Sequence, residues 1–244
     1  MKSFLLLSPF FTVSSFSIAS AQDRYYVWTY PYQTTEANEF ELESTSYFFT
    51  PSLSNNNHTL VQQFELEYGV TDVFQMGFYQ VFSRDYPSGE LSAESFMVEA
   101  LYQLAAKDRW IVNPMIYLEY ERKWDFKTPN HGEAKLILSR DFGRLNGTIN
   151  GIAEFEFGGR SDFAPEFSAG ASYEIVKGLR AGVETFMTLS DEDDDDADED
   201  LSGTGIGPTI FIATPWFDIA SGVTFGVSRN SNAVNFCTNI DFEL

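Results

Sequence analysis

The last residues of the chain, Val234–Leu244, read VNFCTNIDFEL and present two chemically different faces. One face is mostly apolar and consists of Val234, Phe236, Thr238, Ile240, Phe242 and Leu244. The other face is mostly polar and consists of Asn235, Cys237, Asn239, Asp241 and Glu243. A period of two residues is that of a β-strand, because successive side chains point to opposite sides of the backbone. One face of this strand suits lipid and the other suits water.

The same two-faced pattern recurs in short runs separated by turn residues, from Glu39 to the end of the chain. Together the runs predict twelve strands, at Glu39–Phe49, Thr59–Tyr68, Val73–Phe82, Glu94–Leu104, Val112–Arg122, Glu133–Phe142, Leu145–Phe157, Glu166–Ile175, Leu179–Leu189, Thr204–Thr214, Phe217–Val227 and Val234–Leu244. Bacterial single-chain membrane barrels have an even number of antiparallel strands. Residues 39–244 are therefore expected to form one all-β, antiparallel, up-and-down transmembrane barrel.

The connections between these runs alternate in length, as they do in outer-membrane barrels with tight turns at one end. The short ones lie at Gly69–Asp72, Ala105–Arg109, Gly143–Arg144, Val176–Gly178 and Pro215–Trp216. The long ones lie at Ser52–His58, Ser83–Ala93, Lys123–Gly132, Gly158–Phe163, Ser190–Gly203 and Ser228–Ala233. This alternation predicts that both termini are periplasmic and that the long loops face the cell exterior.

Charge decides which face of each strand meets lipid. The reverse assignment would place many glutamates in hydrocarbon, at a cost on the order of a kcal/mol or more each near the bilayer midplane. The inward set, expected to line a lumen, is Glu41, Glu43, Glu65, Glu67, Glu99, Glu119, Glu154, Glu156, Glu174 and Glu184, with Lys135 and Arg180 as the main opposing charges. Rings of acidic side chains favour cations, so these residues are candidates for a permeation path. The alternative is that they only solvate a wet interior.

The outward face is apolar, as a lipid-facing wall requires. Aromatic side chains gather near the short-turn ends of the strands, where a membrane-interface girdle is expected, at Tyr68, Phe74, Tyr102, Phe142, Tyr173, Phe217 and Phe242. Two arginines, Arg122 and Arg140, also fall on this face. Both are near strand ends, where a long side chain reaches the interface.

The first residues predict export. Lys2 precedes an apolar run from Phe4 to Ile18, and Ala19–Ala21 supplies a small-residue cleavage pattern, so residues 1–21 are expected to be a cleaved signal peptide. An uncleaved, anchored helix is the alternative. The segment that follows, residues 22–38, is expected to be a periplasmic N-terminal segment and is rich in aromatic side chains, with Tyr25, Tyr26, Trp28, Tyr30 and Tyr32. It either packs under the barrel mouth or enters the lumen as a plug.

Several stretches resemble a family of little-characterised bacterial outer-membrane barrels labelled transporters or phenol-degradation MetA-pathway-like proteins. They are Phe64–Tyr79 (FELEYGVTDVFQMGFY), Met115–Tyr120 (MIYLEY) and Glu133–Gly143 (EAKLILSRDFG). The resemblance covers nearly all of the mature chain. It implies passage of small, in part aromatic, molecules across the outer membrane, and it supplies no catalytic residues. The chain departs from the usual ending of such proteins by finishing in Leu244.

The run Asp191–Asp200 contains nine acids and Ala197 and is expected on the long-loop side. It is interpreted either as a solvated, disordered loop or as a divalent-cation site that bridges to lipopolysaccharide phosphates. It is not an EF-hand, because Asp196 stands where that loop needs glycine. No other cofactor is expected, and His58 and His131 are placed in different outer loops.

These observations predict a Gram-negative outer-membrane, porin-like channel or transporter that passes small solutes through an acidic lumen. The expected partners are outer-membrane lipid, lipopolysaccharide, the barrel-assembly machinery and a small-molecule solute. A formal net charge of −21 disfavours nucleic acid as a partner. Two rivals remain, a structural or adhesin-like barrel without conductance and an outer-membrane lipase. An enzyme is not expected, because a lipase needs a serine beside a histidine.

Overall fold

The alternation of apolar and polar side chains forms twelve β-strands in the computed structural model. The structure describes residues 24–54, 56–157, 163–188, 203–228 and 231–244. The expected signal peptide, residues 1–21, and the acidic run Asp191–Asp200 lie outside these residues. The strands are β1 (Phe40–Thr50), β2 (His58–Thr71), β3 (Phe74–Tyr86), β4 (Ser92–Gln103), β5 (Asn113–Lys123), β6 (Asn130–Phe142), β7 (Leu145–Phe157), β8 (Phe163–Val176), β9 (Leu179–Thr188), β10 (Thr204–Ala213), β11 (Asp218–Gly226) and β12 (Val234–Glu243).

Each strand pairs antiparallel with its neighbours in sequence, and β1 pairs with β12 to close the barrel. The closing register places Glu41 opposite Glu243 and Thr50 opposite Val234. Closure leaves no unpaired strand edge, so every strand finds hydrogen-bonding partners on both sides. The predicted fold class, strand number and antiparallel order are confirmed. Among the described residues, no helix is long and apolar enough to cross a membrane.

The strand ends differ from the prediction mainly on the long-loop side. β3 continues to Tyr86 and β6 begins at Asn130, so much of the expected loops Ser83–Ala93 and Lys123–Gly132 is strand. The physical reason is pairing: His58 lies opposite Tyr86 in the ladder, which extends the β2–β3 hairpin. At the other end, the β4–β5 connection, residues 104–112, is longer than the predicted short turn.

The outer face of the barrel is apolar. Its exposed side chains include Phe40, Leu42, Phe64, Leu66, Leu118, Leu136, Val183, Ile210 and Ile212. Aromatic pairs stand at the short-turn end, with ring centroids 4.6 Å apart for Phe40 and Tyr68 and 5.9 Å apart for Phe217 and Phe242. The two arginines of the outward face, Arg122 and Arg140, have polar partners near the strand ends. Arg140 Nη1 lies 2.8 Å from Asp108 Oδ1, and Arg122 donates to Asn130.

The interior contains two apolar clusters, each built from wall residues and from the chain that precedes β1. The first comprises Val27, Trp28, Phe49, Val61, Val81, Phe186, Phe211, Ala220 and Cys237. The second comprises Tyr32, Leu101, Met115, Tyr117 and Ile137, with Tyr30 packed against it. The core therefore sits inside the barrel, and the interior is partly dry rather than uniformly polar.

Candidate functional site: the barrel interior and its plug

The residues before β1 fold into the barrel, and we call Arg24–Thr35 the N-terminal plug. Tyr26, Val27 and Thr29 are buried, although no strand of the barrel includes them. In the structure, Arg24–Thr35 therefore lies among inward-facing side chains of the barrel. Arg24 lies at β1, and Thr35 lies at β3, where its backbone N–H donates to Gln75 Oε1 at 2.8 Å.

The strongest hold on the plug comes from one carboxylate on β9. Glu184 Oε1 accepts a hydrogen bond from Val27 N at 2.9 Å, and Glu184 Oε2 accepts from Trp28 N at 2.8 Å and Thr29 N at 2.9 Å. Three consecutive backbone N–H groups thus converge on one buried side chain. Without it, these donors would be left unsatisfied in a dry interior, which is costly.

Two asparagines on β7, which is separated from β9 by β8 alone, also hold the plug. Asn150 Oδ1 accepts from Tyr30 N at 2.7 Å, and Asn150 Nδ2 donates to Tyr30 O at 3.0 Å, so the amide acts as a strand partner would. Asn146 Oδ1 accepts from the Tyr26 hydroxyl at 2.8 Å. Sequence analysis missed both asparagines. They could have been found from the sequence, because Asn146, Thr148 and Asn150 form a polar series on the inward face of β7.

Three cations join the plug to the wall. Arg24 Nη1 lies 2.5 Å from Glu43 Oε2, and its guanidinium lies over the Tyr30 ring at 4.5 Å. Lys135 Nζ lies 4.2 Å from the centroid of the same ring, and the Arg180 guanidinium lies 4.2 Å from that of Tyr25. Lys135 and Arg180 were expected as opposing charges of the lumen. In the structure, both stack on plug tyrosines, whereas Arg24 was missed.

All ten glutamates of the predicted lumen set lie on the inward alternation of their strands. Six are buried, namely Glu41, Glu43, Glu65, Glu67, Glu99 and Glu184, and four are partly buried, namely Glu119, Glu154, Glu156 and Glu174. Strand register brings many of them side by side. Glu41 lies opposite Glu67, Glu99 opposite Glu119, and Glu133 opposite both Glu119 and Glu154. We call this series the carboxylate row.

A pocket of about 340 Å³ remains between the plug and the wall at the short-turn end. Its lining includes Tyr25, Tyr32, Gln103, Lys107, Asn113 and Asp141. Lys107 Nζ and Asp141 Oδ2 are 2.9 Å apart and bring opposite charges to the same lining. The pocket therefore offers both signs of charge and aromatic surface to a small solute.

The two histidines lie in strands, so their expected loop positions were wrong. His58 begins β2, and His131 is in β6 opposite Glu121 and Glu156. The ladder extends beyond the predicted strand ends and includes both. The His58 ring packs on Phe48 at 5.2 Å between centroids, and its Nδ1 has no hydrogen-bond partner among the described residues.

Comparison with known proteins gives a structural likeness only. No protein-family model matches the chain, and no curated protein matches it. The COG4313 outer membrane channel from Pseudomonas putida F1 has a TM-score of 0.63 at 11% identity, covering 87% of this chain and 98% of that one. The KdgM porin, solved with disordered oligogalacturonate, has a TM-score of 0.58 at 10% identity, covering 84% and 99%.

The NanC porin has a TM-score of 0.53 at 12% identity, covering 83% of this chain and all of that one. Similarity at such low identity establishes a shared fold and leaves function to be argued from the site. The resemblance to bacterial outer-membrane barrels is accordingly confirmed at the level of architecture. The chain has the fold of outer-membrane channels.

Proposed function

We propose that this protein is an outer-membrane channel for small solutes, with a lumen that its own N-terminal plug occupies. The observation that carries the proposal is how the plug is held. Glu184, Asn150 and Gln75 bind it through side chains, and it adds no strand to the barrel. A segment held in this way can leave the lumen without breaking the barrel ladder. Such a segment can gate a path.

The apolar outer face supports insertion into the outer membrane. Exposed Leu66, Leu118 and Ile210 would be costly in water and are favourable against lipid. We place both termini in the periplasm, because the shorter turns of bacterial barrels face that side. Outer-membrane lipid, lipopolysaccharide and the barrel-assembly machinery are the proposed partners. Bridging of lipopolysaccharide by Asp191–Asp200 remains part of this proposal.

The carboxylate row favours cations once the plug has moved. Glu65, Glu119 and Glu154 lie on different strands and face the same interior. Closely set carboxylates make the potential negative in a narrow tube with low-dielectric walls, so cations enter at less cost than anions. Salt weakens the effect, because the screening length falls from about 10 Å at 0.1 M to about 3 Å at 1 M.

The test is the reversal potential across a dilute KCl gradient, measured on residues 22–244 refolded into planar bilayers. The parent should conduct with cation preference, and Glu65→Gln, Glu119→Gln and Glu154→Gln together should reduce that preference. The control removes three exposed charges at the barrel ends, with Asp72→Asn, Asp85→Asn and Glu90→Gln, and should resemble the parent. An anion-selective parent, or a conducting triple variant with unchanged selectivity, would contradict this role for the carboxylates.

A closed, structural barrel is the second candidate, and the apolar clusters favour it. Trp28 packs on Phe49 and Phe186, with ring centroids 6.4 Å and 5.8 Å apart, so the plug also helps to fill the core. A structural barrel would show no conductance, even after residues 24–35 are deleted. A channel would conduct when the deletion opens its lumen. An enzymatic role has no comparable observation in its favour.

A further inference from the structure

Three buried carboxylates meet where β1 and β2 pair. Glu43 lies directly opposite Glu65, and Glu67 follows on the same face of β2. One carboxylate oxygen from each of the three lies within 4.8 Å of the others. Glu43 is already engaged, because it accepts hydrogen bonds from Arg24 Nη1 at 2.5 Å and from Thr45 Oγ1 at 2.6 Å. We call these three residues the glutamate cluster.

Glu65 provides a second observation at this cluster. Its side chain is buried, with 1% of its surface exposed, and neither carboxylate oxygen has a hydrogen-bond partner among the described residues. Its neighbour on β4 is another carboxyl group, that of Glu99, whose Oε1 also has none. Both side chains occupy the space over Gly77, where an added Cβ would clash with them. The absence of a side chain at Gly77 thus lets Glu65 Oε1 and the carboxyl group of Glu99 approach each other over β3, and we call this place the cradle.

The charge at this place is unbalanced. The three cluster glutamates have one nearby cation among the described ion pairs, Arg24, which pairs with Glu43. Glu99 Oε2 accepts from the neutral Tyr79 hydroxyl at 2.7 Å. A buried carboxylate with no donor or counter-ion is strongly disfavoured, because the interior cannot replace the solvation it loses. Glu67 Oε2 accepts a hydrogen bond from Thr35 Oγ1 at 3.1 Å, whereas both Glu65 oxygens and Glu99 Oε1 have no donor among the described residues. Carboxylate oxygens of this kind are the ligands that a hard cation requires.

We propose that the glutamate cluster binds one divalent cation of the calcium type, with Glu99 completing the cradle. All the donors are carboxylate oxygens, which suit calcium and magnesium rather than softer metals. One ion can reach all three oxygens, because they lie within 4.8 Å of one another. Calcium accepts six to eight oxygens in flexible geometry, whereas magnesium requires near-ideal octahedral geometry and usually keeps several waters, so a buried set of carboxylates favours calcium.

This site goes beyond the channel role, because binding does not require conduction. The cation would share Glu43 with Arg24, so it would lie beside the anchor of the plug. Failure of the two proposals can be distinguished. If the barrel binds calcium but does not conduct, the channel proposal fails and the calcium site stands. If the barrel conducts but binds no calcium, the calcium site fails and the channel proposal stands.

The experiment is a calorimetric calcium titration of residues 22–244, refolded in detergent and stripped with a chelator. Asp191–Asp200 is replaced by Asn and Gln at its acids in every sample, so that the outer loop cannot contribute. One calcium per barrel is expected, with magnesium binding more weakly. Glu65→Gln should weaken calcium binding at least about tenfold, equivalent to about 1.4 kcal/mol. Glu121→Gln, the same charge change on β5, should leave affinity unchanged.

Folding of each variant is checked by heat-modifiable gel mobility. If Glu65→Gln does not fold, two other substitutions test the same cradle. Gly77→Ala fills it, and Glu67→Asp withdraws a ligand while keeping its charge, so both should weaken calcium binding. No calcium binding by the folded parent, or equal binding by the parent and a folded cluster variant, would overturn the proposal.

Discussion

Glu184 and Glu65 are equally buried in the same barrel, each with 1% of its surface exposed, yet their surroundings are opposite. Glu184 accepts from three backbone N–H groups of the plug. Glu65 has no hydrogen-bond donor among the described residues and faces the carboxyl group of Glu99. The first carboxylate is satisfied by the protein itself, and the second is not.

The difference shows that burial does not by itself decide what a charged side chain contributes. A carboxylate with converging donors stabilises the segment that supplies them. A carboxylate without donors destabilises the fold unless something else binds there. Glu184 therefore holds the plug, whereas Glu65 is placed to receive a cation.

The largest effect should follow removal of the satisfied carboxylate. Glu184→Leu leaves the N–H groups of Val27, Trp28 and Thr29 without their acceptor, which should cost about 4 kcal/mol of plug docking, or about a thousandfold in its equilibrium. Bilayer conductance of the refolded chain should rise. Labelling of a Thr29→Cys reporter by a membrane-impermeant maleimide, in a Cys237→Ser background, should become fast.

The matched control for that variant is Glu166→Leu on β8. Glu166 accepts from Thr188 Oγ1 at 2.7 Å, and the two residues lie opposite each other where β8 and β9 pair. Conductance and labelling should remain those of the parent. If Glu184→Leu conducts and labels no differently from Glu166→Leu, the carboxylate does not hold the plug.

The unsatisfied carboxylate should respond in the opposite sense. In the presence of a chelator, Glu65→Leu should leave the free energy of unfolding unchanged or raise it by about 1 kcal/mol, because a buried charge without donors is replaced by an apolar side chain. The measurement is reversible guanidinium unfolding in lipid vesicles. Glu184→Leu is measured in the same way. If both variants lose the same free energy of unfolding, the two environments are equivalent.

The fit of the plug against the wall gives a smaller effect. A Cβ on Gly170 would lie 2.6 Å from Tyr26 Cε1, whereas a Cβ on Gly147 would have nothing within 4 Å. Gly170→Ala should therefore weaken plug docking by about 1–3 kcal/mol through overpacking. Gly147→Ala should have no such effect. Maleimide labelling of the Thr29→Cys reporter compares the two variants. Equal labelling rates would show that the Tyr26 ring can move aside without weakening plug docking.

The smallest effect is expected outside the membrane, at the turn between β5 and β6. Hydrogen bonds from the Thr128 hydroxyl and from the backbone N–H groups of Thr128 and Lys127 lower the pKa of Asp125 from 3.8 to about 2. Because the folded pKa lies below the ordinary value, this stabilisation is present above about pH 4 and is lost as the pH falls to about 2.

Amide NMR shifts of Lys127 and Thr128 should report that titration. The same amides in Asp125→Asn should show no transition over this range, whereas the shifts of residues in the barrel wall should be the same in both proteins. A midpoint at the ordinary aspartate value would contradict the turn geometry.

Much of the barrel could be predicted because its code is local. Alternation along VNFCTNIDFEL and its relatives identified twelve strands and the inward set from Glu41 to Glu184, since the period of a strand is fixed by its backbone geometry. Strand ends were less predictable. Whether His131 belongs to a loop or to β6 depends on pairing with Glu121 and Glu156, which lie on the neighbouring strands β5 and β7.

The plug and the glutamate cluster depend on contacts that no local pattern encodes. Glu184 meets Val27 across more than 150 positions, and Glu65 meets Glu99 only because Gly77 separates them on β3. By itself, the sequence determined which side chains face inward, because alternation is a property of one strand. Only closure of the barrel decided which of them hold the plug and which face one another, because closure brings distant strands to a single interior.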